Sequence, residues 1–383
     1  MSDNKKTVAL ATCFLDNYGA CLQAYALQES IESLGYKCNI INYVEPDGYS
    51  KHLPWLTKFM HSEFYLKGRG FFQHKYLEKF NQEGKKWKKF YEFRKGLNLT
   101  GFYTTAQQVY DHPPLCDACV CGSDQIWNPT FYNCNNPIYH LDFAPKGIRR
   151  IAYAPSIGLS SIPYPYQKEF QKFVSALDVV SVRETRGAEI IKEITDRDCP
   201  VVLDPTLLIN GQQWREKLQI KQKKHPYIFV YMFGDREYIG KFLQHVRERT
   251  DIPFVCIPFT ERDRNAGYEI VNDAGPREFV ELIDNASLVL TDSFHATAFS
   301  LNLNTPFYTL FRDKEDNTKG MNSRLTSILE LTGMGKRLIK NEENFPGQID
   351  FDVDFSACNQ CLQDKRKKDL EFLKNALGGS LHD

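Results

Sequence analysis

The chain has 383 residues, 42 % hydrophobic and 13 % aromatic, enough for two domains with cores of their own. Its 48 lysines and arginines balance 48 aspartates and glutamates, so no overall field recommends nucleic acid as a partner. No apolar run approaches the ~18 residues of a membrane span, and the first residues lack a signal-peptide core. A cytoplasmic protein, with its 11 cysteines reduced, is therefore expected.

Strands and helices alternate along the chain. Val8–Thr12 reads as a short strand, Asn17-Tyr-Gly-Ala20 as a turn, and Leu22, Tyr25, Ala26, Leu27, Ile31 and Leu34 as a helix that Gly35 ends. Cys38–Tyr43 is the next strand, which completes a β-α-β unit and starts a parallel sheet. Strands at Ala118–Cys121, Arg150–Ala154, Val179–Val182 and Pro200–Leu203 follow, with helices near Tyr166–Leu177 and Thr185–Ile194. Asp204-Pro-Thr206 looks like the exit from a first domain spanning 1–205. A second series, 206–345, places strands at Tyr227–Phe233, Pro253–Pro258, Ser287–Leu290 and Pro306–Leu310. Its helices are Arg236–Arg249, Arg277–Asp284, one beginning at His295, and Ser323–Thr332. The tail, 346–383, carries a charged amphipathic helix over Asp364–Leu377 that is expected to pack back on the first domain. The fold class is α/β, with two doubly wound domains facing a cleft.

One insertion, 46–97, breaks the alternation. Between Lys51 and Lys95 it holds 12 lysines and arginines against 4 glutamates, and 12 aromatics, among them Trp55, Phe59, Phe71, Phe72, Trp87, Phe90 and Tyr91. Interleaved basic and aromatic residues suit an anionic membrane surface; a helical insertion with buried aromatics and solvated lysines is the plainer reading.

Ligands of such folds sit beyond the carboxyl ends of the strands, so the loops there hold the candidates. Thr291-Asp-Ser-Phe-His295 joins a buried strand to a helix start, where free N–H groups and the helix dipole favour an anion. Its histidine adds acid/base chemistry near neutral pH. Asn17-Tyr-Gly19 offers close backbone approach but lacks a dinucleotide fingerprint. Gly122-Ser-Asp-Gln125 presents hydrogen-bonding groups in a row, with Trp127 behind them as either a stacking face or a core plug. Arg183, ending a strand, could fork onto a carboxylate or phosphate or pair with Glu184. Cys116-x-x-Cys119 and Cys358-x-x-Cys361 could in principle make a four-thiolate zinc site, but Cys119 and Cys121 alternate in an apolar strand where ligands are awkward.

Taken in order, Asn-Tyr-Gly-Ala at the first helix, Gly-Ser-Asp-Gln-Ile-Trp-Asn-Pro, Ala-Tyr-Ala-Pro-Ser-Ile-Gly, Ser-Val-Arg-Glu, Leu-Asp-Pro-Thr-Leu-Leu and Thr-Asp-Ser-Phe-His-Ala resemble the polysaccharide pyruvyl transferase family over about Thr7 to Gly335. The resemblance implies two Rossmann-like domains arranged as in GT-B glycosyltransferases. It also implies transfer of pyruvate from phosphoenolpyruvate to a sugar diol as a ketal. His295 matches the family's expected general acid/base, and Arg183 one of its donor-binding arginines. Where some members carry Arg-Leu-His, this chain has Ser293-Phe294-His295, so Arg312 or Arg324 is expected to supply the missing charge. Ser293, Phe294 and Thr297 complete the donor side; Asn17, Gly19, Ser123, Asp124 and Gln125 are expected to face the acceptor. The scheme calls for phosphoenolpyruvate as co-substrate, no further cofactor and no metal. The acceptor is expected to be a capsule, exopolysaccharide or cell-wall saccharide. A lipid-linked acceptor would bring residues 51–95 to the inner membrane face. A glycosyltransferase using a nucleotide sugar and a non-catalytic glycan-binding relative are the alternative readings.

Overall fold

The computed structural model describes residues 5–15, 17–44, 77–130, 135–222, 225–313 and 322–378. Most of the basic aromatic insertion lies outside them; its last part forms the helix Leu77–Arg94.

Among the described residues, eleven strands build two sheets, and all their pairings are parallel. The first contains β1 (Thr7–Ala11), β2 (Lys37–Ile40), β3 (Ala118–Cys121), β4 (Arg149–Ala152) and β5 (Val179–Val180) in the order β2-β1-β3-β4-β5. The second contains β6 (Ile228–Tyr231), β7 (Phe254–Cys256), β8 (Glu269–Ile270), β9 (Leu288–Thr291), β10 (Phe307–Leu310) and β11 (Leu338–Ile339) in the order β11-β10-β9-β6-β7-β8. The inner strands read ACVC, IFVY, LVLT and FYTL and are buried throughout, as sheets covered by helices on both faces require. The order reverses between β1 and β3 in one sheet and between β6 and β9 in the other. At such reversals the loops diverge and leave a crevice.

Several elements differ from their sequence reading. The strand expected over Pro200–Leu203 is a single bridge, Val182 to Val201. Two helices, Pro205–Leu208 and Gly211–Leu218, stand where the sequence reading places only a domain exit. The tail helix runs Ser356–Gly378, one turn and more ahead of its charged repeat. It starts there because Asp354 Oδ1 accepts the Ser356 N–H (2.8 Å) and because Cys358 and Leu362, one turn apart, are buried. Asp369 of this helix accepts the Leu203 N–H (2.7 Å), and Lys365 donates to the Val201 carbonyl (2.7 Å), which fastens the tail to the first sheet.

The helices between the sheets share one continuous core. Tyr18, at the start of the helix Tyr18–Ser33, stacks on Phe279 of the helix Pro276–Asp284 at 4.7 Å and donates its hydroxyl to the Ala274 carbonyl (3.0 Å). Phe90 of the insertion helix joins them, 5.1 Å from Tyr18, and Lys89 pairs with Asp273 at 3.0 Å. First-domain and second-domain residues thus bury each other's apolar surface.

A second core under the first sheet encloses His140, stacked between Trp127 (5.4 Å) and Phe173 (4.9 Å) and edge-on to Phe170 (5.6 Å). Trp127 is therefore a core plug, its indole N–H given to the Tyr139 carbonyl (3.0 Å). Neither ring nitrogen of His140 has a hydrogen-bond partner, and burial pushes its pKa down to about 3. The native state holds the neutral form, whereas the unfolded chain takes up a proton near pH 6.5. Stability from this residue is complete above that pH and falls by about 1.4 kcal/mol per pH unit toward pH 4. His140→Phe, which keeps the stack and breaks no hydrogen bond, should flatten the acid limb by that amount in urea titrations. Parallel slopes for variant and wild type would refute it.

Candidate active site

The candidate site forms where the two strand-order reversals face each other. On the second domain, β9 ends at Thr291, whose hydroxyl donates to the Tyr231 carbonyl (2.6 Å) and accepts the Ser293 N–H (3.0 Å). Asp292 spreads its carboxylate over both sides of the reversal, accepting from the backbone of Phe233 (2.9 Å) and Gly234 (2.7 Å). Ser293 caps the helix Phe294–Leu303 by accepting the Ala296 N–H at 3.4 Å. His295 is thereby fixed in the helix's first turn, its side chain 9 % exposed.

On the first domain, Gly122 (φ +132°) ends β3, and a Cβ there would stand 1.8 Å from the Tyr153 carbonyl oxygen, so only glycine fits. Buried Gln23 ties the facing loops together. It donates to Thr12 Oγ1 (2.8 Å) and the Cys13 carbonyl (2.7 Å), and accepts the Ser123 N–H (2.9 Å). Gly19 lies in the first turn of its helix, where a Cβ would be 2.0 Å from His295 Nδ1. The imidazole therefore rests directly on the start of the first-domain helix, and two helix N-termini meet around it.

Asp204 is the residue whose importance the sequence hides. Its Oδ1 caps the short helix Pro205–Leu208, accepting from Thr206 N (3.0 Å) and Oγ1 (2.7 Å). Its Oδ2 points into the site, receiving Arg183 (2.7 Å) and Ser123 Oγ (2.9 Å), with His295 Nε2 at 3.7 Å, too long for a hydrogen bond but close enough for an ion pair. Burial works against its charge, but His295, Arg183 and the Thr206 N–H outweigh burial and hold the carboxyl well below the usual carboxylate range. An Asp-Pro-Thr at a helix start signals a cap; nothing local signals that the second oxygen faces a histidine.

Arg183 is buried and surrounded by Asp204 (2.7 Å), Asp124 (3.4 Å) and Glu184 (3.9 Å), with its guanidinium 4.4 Å from the Phe294 ring centre. The ion-pair reading is the one the structure shows, and it reaches beyond Glu184: Arg183 is the counter-ion of a carboxylate cluster whose closest member is Asp204. Glu184 in turn accepts from Ser156 Oγ (3.0 Å) and the N–H groups of Ile157 (2.8 Å) and Gly158 (3.0 Å), holding the loop after β4.

The expected donor-side residues divide. Arg312 is tied to Asp292 (3.2 Å) and lies over Phe233 (4.5 Å). Thr297 is buried, donating to the Ser293 carbonyl (2.9 Å) and sharing a hydrogen bond with Thr309 (2.8 Å), so it serves the helix. Arg324 is different. It is buried, 6.0 Å from the Phe294 ring, and no described carboxylate or carbonyl takes a hydrogen bond from it; its Nε is unpartnered. Burial first, then the charges of Arg183 and Arg312, pull its guanidinium down to about 9, against Glu184 and Asp124. It still carries a full charge at neutral pH.

Among the acceptor-side residues, Asp124 keeps part of its side chain exposed beside Arg183, and Gln125 accepts from Asn128 (3.2 Å). Ser123 is fully buried and supports Asp204 from beneath, donating either to it or to the Ala154 carbonyl (2.8 Å). Asn17 caps its helix through Ala20 (3.3 Å). The cysteine pairs do not converge: Cys116 and Cys119 belong to the core under the first sheet, Cys358 to the interdomain core, and Cys361 gives its thiol to the Leu331 carbonyl (3.1 Å). Among the described residues, no group of three or more histidine, cysteine or acidic side chains is placed to hold a metal ion.

Comparison with known proteins agrees with this layout. The model of the family described as polysaccharide pyruvyl transferase matches residues 17–311, a span that holds Asn17, Ser123, Arg183, Asp204 and His295, while Arg312 and Arg324 follow it. The chain belongs to the polysaccharide pyruvyl transferase family. No curated protein matches it. Among solved structures it is similar to a UDP-GlcNAc 2-epimerase of Methanocaldococcus jannaschii, with 15 % identity, 94 % of each chain covered and a TM-score of 0.49. It is also similar to a putative UDP-N-acetylglucosamine 2-epimerase of Listeria monocytogenes (12 %, 99 % of this chain and 92 % of that one, 0.46). A third is the E. coli heptosyltransferase WaaC (8 %, 95 % and 99 %, 0.40). As in the sequence reading, no helix among the described residues is long and apolar enough to cross a membrane.

Proposed function

We propose that this family member transfers pyruvate from phosphoenolpyruvate to two hydroxyls of a saccharide, as a cyclic ketal, in capsule, exopolysaccharide or cell-wall glycan assembly. The observation that carries the reading is the buried Arg324, its Nε unpartnered, 6.0 Å from the ring of Phe294, the residue before His295 in the first turn of the same helix. A cation with no carboxylate of its own, next to free helical N–H groups, suits a ligand that carries both a phosphate and a carboxylate.

In this scheme His295 delivers a proton to the methylene carbon of the donor. A hydroxyl of the sugar attacks the cation that develops at the central carbon, phosphate leaves, and a second hydroxyl closes the ketal. Asp204, ionised 3.7 Å from Nε2, holds the imidazole in place for that transfer, and Arg183 keeps Asp204 charged. Asp124, Gln125 and Asn17 orient the acceptor diol from the first domain. The described face of the insertion helix adds a route to membrane-borne acceptors: Lys85, Trp87, Lys88, Tyr91 and Lys95 are exposed together, and they favour peripheral contact with an anionic inner membrane face.

The test has two arms. Phosphoenolpyruvate should raise the melting temperature of the wild type, whereas a nucleoside diphosphate should not. In Arg324→Met that shift should vanish and the apparent KM for donor rise by about 10- to 100-fold, the worth of one to two charge-assisted hydrogen bonds. The unliganded variant should be as stable as the wild type or more so, because a buried unpaired charge has been removed. A full donor-induced shift in Arg324→Met removes this residue from the donor site. Stabilisation by a nucleoside diphosphate alone overturns the reading.

A further inference from the structure

The sequence motif Cys116-Asp-Ala-Cys119 plays no part in the site. It lies at the amino end of β3, the end opposite Ser123 and Asp124, and yet its geometry is specific. The two Sγ atoms are 3.4 Å apart, a modest side-chain rotation from the ~2.05 Å of a bonded pair. Their surroundings differ. Cys116 is partly exposed in the loop before the strand, next to Leu115, which is 95 % exposed; Cys119 is fully buried in the strand. The hydrogen bond from Cys119 and one from the Ala9 backbone draw the Cys116 thiol down against burial and Asp117, while the same contact and burial push Cys119 up. One thiol is open and inclined to ionise; the other is shielded and stays protonated.

We propose that Cys116 and Cys119 form a thiol–disulfide exchange site, in which Cys116 attacks a small-molecule disulfide and Cys119 resolves the product. In the first step the Cys116 thiolate bonds to one sulfur of the incoming disulfide. The disulfide's own bond breaks, and one thiol leaves after taking a proton from solvent. In the second step Cys119 gives up its proton and attacks the Cys116 sulfur, and the second small thiol leaves. Two protein thiols are oxidised to one disulfide, and one external disulfide is reduced to two thiols. The site is independent of the pyruvyl transfer reading, since neither sulfur touches the cleft.

The full-length protein, incubated with oxidised glutathione near neutral pH and mapped by peptide mass, tests the order of events. Wild type should close the Cys116–Cys119 disulfide without retaining glutathione. Cys119→Ser should trap glutathione on Cys116, and Cys116→Ser should modify Cys119 at least ~10-fold more slowly. The partly exposed Cys13, Cys199 and Cys361 serve as internal references for the reagent. A Cys119→Ser protein whose Cys116 reacts no faster than those references overturns the proposal. So does glutathione capture at Cys119 in Cys116→Ser at the rate of Cys116.

Discussion

Gly19→Ala is expected to cost at least ~100-fold in turnover, the order lost when a general acid is removed, and to match His295→Ala in that respect. The substitution is conservative by helix physics. Gly19 lies in a first helical turn, and alanine there is the better helix former by up to about 1 kcal/mol. What it meets is the imidazole: the new Cβ would be 2.0 Å from Nδ1, 2.5 Å from Cγ and 2.6 Å from Cε1. The ring must leave its place, and with it the proton it would carry toward the donor. Gly19→Ala should therefore fold, with stability lowered by the roughly 1–3 kcal/mol of an overpacked contact, while turnover collapses far beyond what that loss explains. Near-wild-type turnover in Gly19→Ala shows that the imidazole need not lie where it does, and near-wild-type turnover in His295→Ala removes the proton transfer from this residue.

Asp204→Asn should produce the second large effect, and of a different kind. The amide keeps the size of the carboxylate and an oxygen for the Thr206 cap, but Arg183 loses its closest counter-charge and His295 the anion opposite it. Breaking a buried pair from one side leaves a charge without compensation, typically about 3–5 kcal/mol. Because Asp124 and Glu184 still face Arg183, the lower end of that range is expected in urea unfolding. Turnover should fall by at least ~100-fold while donor KM changes little, since Asp204 meets the histidine and not the donor. That pattern is the reverse of Arg324→Met. If Asp204→Asn instead weakened donor binding and spared turnover, the two roles would have to be exchanged.

Much of the layout is legible in the sequence because it is written locally. Runs such as Ile228–Tyr231 and Leu288–Leu290 are apolar without interruption and read as covered strands. His295 announces itself by its place after such a strand. The signals for the helix Gly211–Leu218 were also present, in the capping box of Asn210 and Gln213, but a two-turn helix has little periodicity to notice. The site's electrostatics are another matter. Arg183 stands next to Glu184 in the chain, yet its closest partner is Asp204, and a third carboxylate comes from Asp124. Which arginine is spent on carboxylates and which is not depends on how β3, the 183–184 loop and the helix Ser323–Leu331 converge, and no spacing rule encodes that. Arg324 and Arg312 looked equivalent as replacements for the absent charge at Ser293; only folding shows that Asp292 has already claimed Arg312.

The shared core under Tyr18, Phe279 and Phe90 gives the enzyme an unusual kind of ownership over its histidine. The imidazole belongs by sequence to one half of the molecule, but its resting place and its facing anion belong to the other. A half cut free at the covalent link would keep its sheet and lose the surroundings of His295, along with the apolar cover of its own helices. Neither half is a module that could be exchanged for another without rebuilding what packs around that histidine. Diversity in what the protein acts on must therefore be sought in the loops around the histidine, where change leaves the pairing of the halves untouched.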